Sequence, residues 1–429
     1  MPNVFIYDEF NPEDVAMMQA LYSRSPKSVT EHVEKVRQSG SGKFMETFYV
    51  GYGHASIADC GSTTIFIENI SILGDKAIQD WQLYSGQETS TRYIDMGQQK
   101  IIDPLNTEES KKIINDWMDF YISNQEKIQQ YLMLKYPRRE EEAENVYLKA
   151  IKARGFDIMR GFLPAGITTQ LSWHTNLRQA WDHLALLRHH PLLEVRESAE
   201  LILEKLKEKY AHSFSHPLEG VQEDYRNLVN QKYNYFEPIA KDDFLMETTI
   251  KESELSKYQE LIDKRPPKTG LPNFLGDLGS FTFNFHLDFG SFRDIQRHRN
   301  GVCRMPLLTT QLGFSNWYLE QLPDDMRKEA SILIDQQKIA INKLDTTPEI
   351  RQYYIAMGFK VACRVTYPLP AAAYVIELRS NKTVHPSLRA IAHKMHKAVT
   401  ENFPNLKLYS DLDLDDWDVR RGLADIVKK

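Results

Sequence analysis

A repeated order of predicted elements constrains the fold of this 429-residue sequence more than any other feature. In its first half, the β-branched stretch Thr63–Ile67 predicts a strand, and after two helical stretches Thr168–His174 predicts another. In its second half, Ser280–Leu287 and Phe359–Tyr367 predict strands that are again separated by two helices. Such self-similarity predicts two copies of one supersecondary arrangement.

The boundary between these copies is predicted where the hydrophobic pattern relaxes, around His212–Asn227. We therefore expect two domains of ordinary size, at residues 1–215 and 216–429. With 42% hydrophobic and 26% charged residues, the chain has enough apolar side chains to form a core in each.

Composition also limits the classes of function. The formal net charge of -6 gives no reason to expect bulk nucleic-acid binding, which usually needs a basic surface. The cysteines, Cys60, Cys303 and Cys363, form no C-x-x-C pair, which argues against a disulfide framework or a zinc ribbon and fits a reducing compartment. We see no signal-peptide pattern and no apolar stretch of membrane-spanning length, so we expect a cytoplasmic protein without membrane contact.

Two polar motifs, far apart in the sequence, are candidates for one functional site. The first, Ser85–Tyr93, reads SGQETSTRY and combines a carboxylate, hydroxyls, an arginine and a tyrosine. The second, Asp294–Arg299, reads DIQRHR and places a histidine between two arginines. A solvated run of surface charge usually mixes signs and lacks phenols and hydroxyls. Each motif alone is equally well explained as a polar loop or a helix end, but the two together favour a site.

Together the motifs resemble the signature of the flavin-dependent thymidylate synthases, R-H-R-x-x-S-x-N/Q-E-x-S-x-R-Y. The first motif matches the right side of this signature, and the second matches the left side with Arg297, His298 and Arg299. Residues 80–82 (DWQ) replace R-H-R in the first half, and the second half lacks the right side. The resemblance implies an α+β fold of two tandem domains, each a small antiparallel sheet packed with long helices.

The resemblance also implies which residues bind the ligands, with weaker matches to the family's G-H-x-S/T-x-x-E, R-x-x-L-P and N-x-R segments. The residues implied for nucleotide binding are Glu88, Ser90, Arg92, Arg160, Asp294 and Arg379. Those implied for the flavin are His54, Ser56, Asp59, Asn176 and Arg178, together with Arg297, His298 and Arg299, which are also the implied catalytic group.

The two halves keep complementary parts of the family's site. The R-x-x-L-P arginine, Arg160, is present in the half with E-x-S-x-R, and Arg379 is present in the half with R-H-R. Random decay of two copies would not sort residues by the face of a site that they line, so we expect one composite site formed by both halves. In the family the nucleotide lies between subunits, so a homodimer of this chain would resemble the family's homotetramer.

The chemistry implied by the resemblance is reductive methylation of dUMP, or of a related pyrimidine nucleotide. FAD is the implied cofactor, methylenetetrahydrofolate the carbon donor and NAD(P)H the reductant. The arginines suit a nucleotide because planar guanidinium groups bind phosphate oxygens in pairs. The alternative is a non-catalytic flavin- or nucleotide-binding protein on the same fold.

Two departures from the family pattern bear on this hypothesis. Asp294 stands where the family usually has a glutamine that contacts the pyrimidine, and an ionised carboxylate can only accept hydrogen bonds. Either the base or its mode of binding differs, or Asp294 forms a structural pair with Arg293 or Arg297. In the second half, Pro368 and Pro370 replace N-x-R, so flavin binding depends on the first half.

A histidine-rich stretch, with His183, His189 and His190, follows the second predicted strand of the first half. Its density suggests a metal site, but no set of carboxylates and cysteines with ligand spacing accompanies it. We therefore interpret it as a polar wall of a site or a helix end, and predict no metal.

Overall fold

A computed structural model describes residues 9–23, 25, 28–92, 94–235 and 243–413 of the chain. Tyr93, the last residue of the first motif, and residues 414–429 lie outside the described residues. Among the helices in this described part, none combines the length and the hydropathy that a membrane crossing requires.

The described residues form helices and strands in the following order. The α-helices are α1 Pro12–Tyr22, α2 Val29–Ser39, α3 Gly42–Phe44, α4 Ile72–Gln79, α5 Glu108–Ser123, α6 Gln125–Lys135, α7 Glu144–Met159, α8 Leu177–Leu187, α9 Leu193–Lys209, α10 Gly220–Tyr233, α11 Glu252–Leu255, α12 Gln259–Lys264, α13 Phe289–Ile295, α14 Asn316–Glu320, α15 Asp324–Lys343, α16 Pro348–Arg351, α17 Leu369–Arg379 and α18 Pro386–Asn402. The strands are β1 Ser62–Ser71, β2 Ser85–Glu88, β3 Thr168–Asn176, β4 Phe244–Thr248, β5 Ser280–Asp288, β6 Val302–Cys303 and β7 Lys360–Pro368.

These strands form two small sheets, and the predicted α+β class is confirmed. The first sheet has the order β1-β3-β2, with β2 antiparallel to β3 from Ser85↔His174 to Glu88↔Leu171. The second has the order β4-β5-β7-β6, and all of its neighbouring strands are antiparallel. Only the first four residues of the first motif form a strand, because pairing with β3 ends at Glu88.

The predicted repetition of elements is present in the described residues. In both 62–209 and 280–402, a strand leads into a helix, a short strand and further helices, and then a second strand leads into two helices. The later elements also agree in length: β3 and β7 have 9 residues each, α8 and α17 have 11, and α9 and α18 have 17. A tandem duplication as the origin of this repetition stays a proposal.

The chain forms two compact units, and each is discontinuous in sequence. Unit 1 consists of the described parts of Met1–Ile70, together with Ala77–Glu88 and Gln170–Tyr233. Unit 2 consists of Ser71–Lys76 and the described parts of Thr89–Thr169 and Asn234–Lys429. The predicted domain boundary at 215/216 concerns the repeat in the sequence and stays a prediction.

Unit 2 joins equivalent segments from the two copies of the repeat. Residues 161–166 lie antiparallel to residues 353–358, with Pro164 opposite Ala356. The amide of Ala165 donates to the carbonyl of Ile355 at 2.9 Å, and the amide of Met357 donates to the carbonyl of Leu163 at 2.9 Å. Each segment begins within a 3-10 turn and precedes a strand, and the turn that carries Arg160 belongs to the unit that contains the second motif.

Candidate functional site

The second motif lies at the C-terminal end of α13 in unit 2. Asp288 caps the N-terminus of this short helix by accepting a hydrogen bond from the amide of Ser291 at 2.9 Å. Asp294 lies in the last turn, and the helix ends at Ile295, two residues before Arg297. The helix end therefore presents the charged side chains of the motif next to one another.

Asp294 is surrounded by arginines from both halves of the sequence. Burial opposes ionisation of its carboxyl group, but Arg379, Arg297, Arg160 and Arg293 outweigh burial and hold the pKa of Asp294 below its usual range. The ion pair with Arg297 is long, 3.8 Å from Nη1 to Oδ1. The structure thus brings the predicted residues Arg160, Asp294, Arg297 and Arg379 into one cluster, and the predicted pairing of Asp294 with Arg297 is a loose contact.

His298 is held in one neutral form by Arg379. The Nε atom of Arg379 donates to Nε2 of His298 at 2.7 Å, so the imidazole carries its proton on Nδ1. Burial, followed by the charge of Arg379, lowers the pKa of His298 to about 3. Nη2 of Arg379 donates to the main-chain carbonyl of Asp294 at 2.6 Å, which ties α17 to the end of α13.

The first motif is divided between the units at its strand end. Glu88, the last residue of β2, accepts a hydrogen bond from Gln79 within unit 1. The residues that follow belong to unit 2, where Ser90 accepts a hydrogen bond from the amide of Arg92 at 3.3 Å. Thr91, which the sequence analysis did not select, is buried and its Oγ1 accepts a hydrogen bond from Nη1 of Arg293 at 3.2 Å.

Arg160 is a buried cation with unused hydrogen-bond donors. Its Nη1 lies 3.5 Å from Oδ1 of Asp157, whereas Nε and Nη2 have no hydrogen-bond partner of standard geometry among the described residues. Burial alone would lower the pKa of the Arg160 guanidinium. The nearby Tyr318, Asp294 and Asp288 outweigh burial, so the pKa of Arg160 is raised above its usual value. A buried guanidinium whose Nε and Nη2 make no hydrogen bond of standard geometry, and which lies near other arginines, can bind an anion in this cluster.

A second buried group adjoins Arg160 and contains residues that sequence reasoning missed. The hydroxyl of Tyr318 donates to Oδ1 of Asp288 at 2.7 Å, and Oγ of Ser291 lies 3.1 Å from Nδ1 of His385. Burial, followed by the charges of Arg160, Arg154 and Arg92, lowers the pKa of His385 well below its usual range. His385 caps α18, and no local sequence pattern distinguishes a capping histidine from one beside a cluster of arginines.

The residues predicted for the flavin in unit 1 are partly engaged with one another. Arg178 forms a bidentate ion pair with Asp59, with distances of 2.8 Å from Nε to Oδ1 and 2.7 Å from Nη2 to Oδ2. Asn176 caps α8 by accepting a hydrogen bond from the amide of Gln179 at 2.8 Å, as the pattern at this helix start predicts. His54 and Ser56 are exposed, and the ring of His54 lies beside the aromatic rings of Phe48 and Tyr52.

The histidine-rich stretch of unit 1 divides among separate partners. Nε2 of His183 lies 2.8 Å from the carbonyl of Ile78, and Nε2 of His189 lies 3.1 Å from a carboxylate oxygen of Glu223. Nδ1 of His190 accepts a hydrogen bond from the amide of Leu192 at 3.1 Å. In the described ranges of the chain, no three histidine, cysteine or acidic residues group as metal ligands do.

Comparison with known proteins supports the family resemblance of the first half. Residues 6–211 match the family model described as thymidylate synthase complementing protein. The UPF0159 protein Ta1429 of Thermoplasma acidophilum is 24% identical to this chain, over 97% of the chain and 98% of its own length. A UPF0159 protein of Chlamydia muridarum is 26% identical, over 85% of this chain and 80% of its own length, and one of Chlamydia pneumoniae is 24% identical over 86% and 82%. The predicted resemblance to this family is confirmed for the half that carries the first motif, residues 6–211.

Proposed function

We propose that this chain is a flavin-dependent thymidylate synthase-like enzyme that methylates dUMP, or a related pyrimidine nucleotide, at a composite site formed by both halves of its sequence. The observation that carries the proposal is the charge cluster of unit 2. Arg160 comes from the first half, whereas Asp294, Arg297 and Arg379 come from the second. These are the residues that the family resemblance assigns to opposite faces of one nucleotide site.

The nucleotide phosphate is proposed to bind the arginines of this cluster. A phosphate monoester carries nearly two negative charges at neutral pH, and the cluster sets four arginines against Asp294. Arg160 offers donors that no described residue uses, and Arg92 and Ser90 lie on the segment that Thr91 fixes to Arg293. An ion-pair network that is already assembled needs little rearrangement when a ligand binds.

The proposed cofactor is FAD, and the residues present fit it in kind. Arg297 and Arg299 supply guanidinium groups for a pyrophosphate, and His298 offers the Nδ1–H that its bond to Arg379 leaves for a ligand. When bound, the flavin would supply hydride chemistry, with the methylene group coming from methylenetetrahydrofolate and the reducing equivalents from NAD(P)H. The neutral His298 can donate a hydrogen bond without bringing a further positive charge into the cluster.

The visible absorption spectrum tests the cofactor assignment. We expect the protein to retain a near-stoichiometric flavin spectrum after incubation with FAD and dialysis, and Arg297→Ala to lose it. Arg138→Ala, at an exposed position, is a matched control that should retain FAD. A wild-type protein that remains colourless after loading would contradict the proposed function.

Turnover is tested by adding methylenetetrahydrofolate, NADPH and a pyrimidine nucleotide to the loaded protein. A methylated nucleotide should form with one equivalent each of tetrahydrofolate and NADP⁺, and its mass identifies the product. The alternative is a non-catalytic flavin- or nucleotide-binding protein on the same fold, in which Asp59 and Arg178 stay paired with each other. Retention of FAD without any methylated product would support that alternative.

The oligomeric form of the proposed enzyme is a homodimer. Because the hydrogen bond of Thr91 with Arg293 and the electrostatic attraction between Arg160 and Asp294 link both halves within one chain, each chain is proposed to hold its own nucleotide site. Mixing inactive Arg92→Ala with inactive Arg297→Ala should therefore not restore activity. Recovery of about a quarter of wild-type activity on mixing would instead mean that the site is shared between chains.

A further inference from the structure

The carboxylate of Asp294 has hydrogen-bond acceptors that the described residues leave unused. Its closest cationic atom, Nη1 of Arg297, is 3.8 Å away, beyond hydrogen-bonding distance. Arg379 directs two of its donors elsewhere, to the main-chain carbonyl of Asp294 at 2.6 Å and to His298 at 2.7 Å. Since 28% of the Asp294 side-chain surface is exposed, a ligand can reach these oxygens.

The charges around this carboxylate define the polarity of a ligand that fits. Arg160, Arg293, Arg297 and Arg379 outnumber Asp294, so the cluster as a whole attracts an anion. The same arginines hold the pKa of Asp294 below its usual range, so at neutral pH the group is an acceptor only. A ligand that fits the arginines and the carboxylate together must carry an anionic group for the arginines and an N–H donor for Asp294.

We propose that the preferred nucleotide of this site is a cytosine nucleotide such as dCMP, whose exocyclic amino group donates to Asp294. This inference rests on the proposed function. Cytosine presents its N4 amino group as a donor, where uracil presents the O4 acceptor. An acidic side chain that accepts from cytosine N4 is a recurrent base contact. At the position of the cytosine N4 amino group, uracil would set its O4 acceptor against the ionised carboxylate, which leaves two acceptors without a shared proton.

The size of the preference follows from a single directed hydrogen-bond contact. A good contact to a base edge discriminates by about 1–3 kcal/mol, and 1.4 kcal/mol corresponds to about tenfold in affinity. Calorimetric titration of the full-length protein, with FAD in the buffer, measures the affinity for dCMP and dUMP separately. We expect dCMP to bind at least about tenfold more tightly than dUMP.

Asp294→Asn tests whether the carboxylate is the cause, because asparagine keeps the shape and adds a donor. This variant should bind dUMP more tightly than the wild type and bring the two affinities within about threefold. Asp324→Asn makes the same change on an exposed residue of α15 and should keep the wild-type ratio.

The outcomes separate this inference from the proposed function. Binding of both nucleotides with dUMP preferred, or an unchanged ratio in Asp294→Asn, would overturn the cytosine preference and leave the proposed function standing. If neither dCMP nor dUMP binds the wild type at millimolar concentration, the proposed function and this inference are both overturned.

Discussion

At the scale of single residues, one hydrogen bond fixes the tautomer of His298. Arg379 donates to Nε2 at 2.7 Å, which leaves the proton of the neutral ring on Nδ1. Burial and the nearby arginines favour the neutral form, since a protonated ring would add a positive charge to an already cationic cluster. His298 therefore acts as a hydrogen-bond donor of fixed direction and not as an acid at neutral pH.

We predict that His298 does not titrate between pH 5 and 8. Its pKa of about 3 keeps the ring neutral throughout this range. The ¹⁵N chemical shifts of labelled histidine should show one ring with a constant Nδ1–H tautomer, and this signal should disappear in His298→Gln. Arg379→Gln should raise the pKa, because it removes a positive charge beside the ring. A wild-type His298 signal that titrates near pH 6.5 would rule out this environment.

The sequence predicts some residues of the candidate site and gives no signal for others. The motif matches predict four site residues that lie in one cluster: Arg160, Asp294, Arg297 and Arg379. Thr91 was missed although it lies between two selected residues, because its partner Arg293 is 202 positions away. A hydroxyl that binds a distant side chain leaves no periodic or spacing signal in the sequence, so only the folded structure identifies it.

At the scale of elements, the 3-10 turn of residues 160–162 sets the position of Arg160. Gly161 in this turn packs directly on Tyr318: a Cβ atom at Gly161 would lie 2.6 Å from Cδ1 of that ring. Tyr318 is wholly buried and its hydroxyl bonds to Asp288, so the ring has no free space into which to move. The absence of a side chain at residue 161 thus allows Arg160 and Tyr318 to approach each other.

Gly161→Ala is predicted to displace the turn and weaken nucleotide binding. Forced overpacking in a core costs about 1–3 kcal/mol, and here the strain falls on the residue next to Arg160. We expect a lower melting temperature and at least a tenfold loss of nucleotide affinity. Gly220→Ala is a suitable control, since no atom lies within 4 Å of an added Cβ at that glycine. An unchanged affinity in Gly161→Ala would mean that the turn does not position Arg160 for the nucleotide.

The elements themselves were largely predictable, whereas their assembly was not. The alternating pattern of Ser280–Leu287 and the β-branched run at Thr63–Ile67 predict strands that the structure has, because period-two patterns are local. The antiparallel pairing of residues 161–166 with 353–358 joins segments 192 positions apart along the chain at the Pro164–Ala356 contact. Such pairing depends on packing of the surrounding core, and no local pattern encodes which segment is the partner.

At the scale of the whole molecule, the buried histidines make folding sensitive to acid. The ring of His183 in unit 1 stacks on Trp81 with a centroid distance of 4.7 Å and meets the edge of Trp173 at 5.4 Å. Its Nε2 lies 2.8 Å from the carbonyl of Ile78, and its Nδ1 has no hydrogen-bond partner among the described residues. Protonation would place a charge on Nδ1 within an aromatic environment, and burial accordingly lowers the pKa of His183 from 6.5 to about 4.

The depressed pKa of His183 fixes the sign of its effect on stability. Between pH 6.5 and about 4, the unfolded chain binds a proton at His183 that the folded chain does not bind. The free energy of unfolding therefore decreases as the pH falls through this window, by on the order of 3 kcal/mol from this one group. His190, whose pKa burial lowers to about 3, adds a loss in the same direction that continues to lower pH.

His183→Gln should reduce the loss of stability that the protein undergoes as the pH falls from 7 to 4. Glutamine can still donate to the carbonyl of Ile78 but has no pKa in this range, so its cost to stability should be independent of pH. Melting temperatures measured from pH 7 to pH 4 should fall less steeply in His183→Gln than in the wild type, even though the variant begins from a lower value. His54→Gln, at an exposed position, should retain the wild-type slope. Parallel slopes for His183→Gln and the wild type would show that His183 accepts its proton without unfolding, which its enclosure by Trp81 and Trp173 argues against.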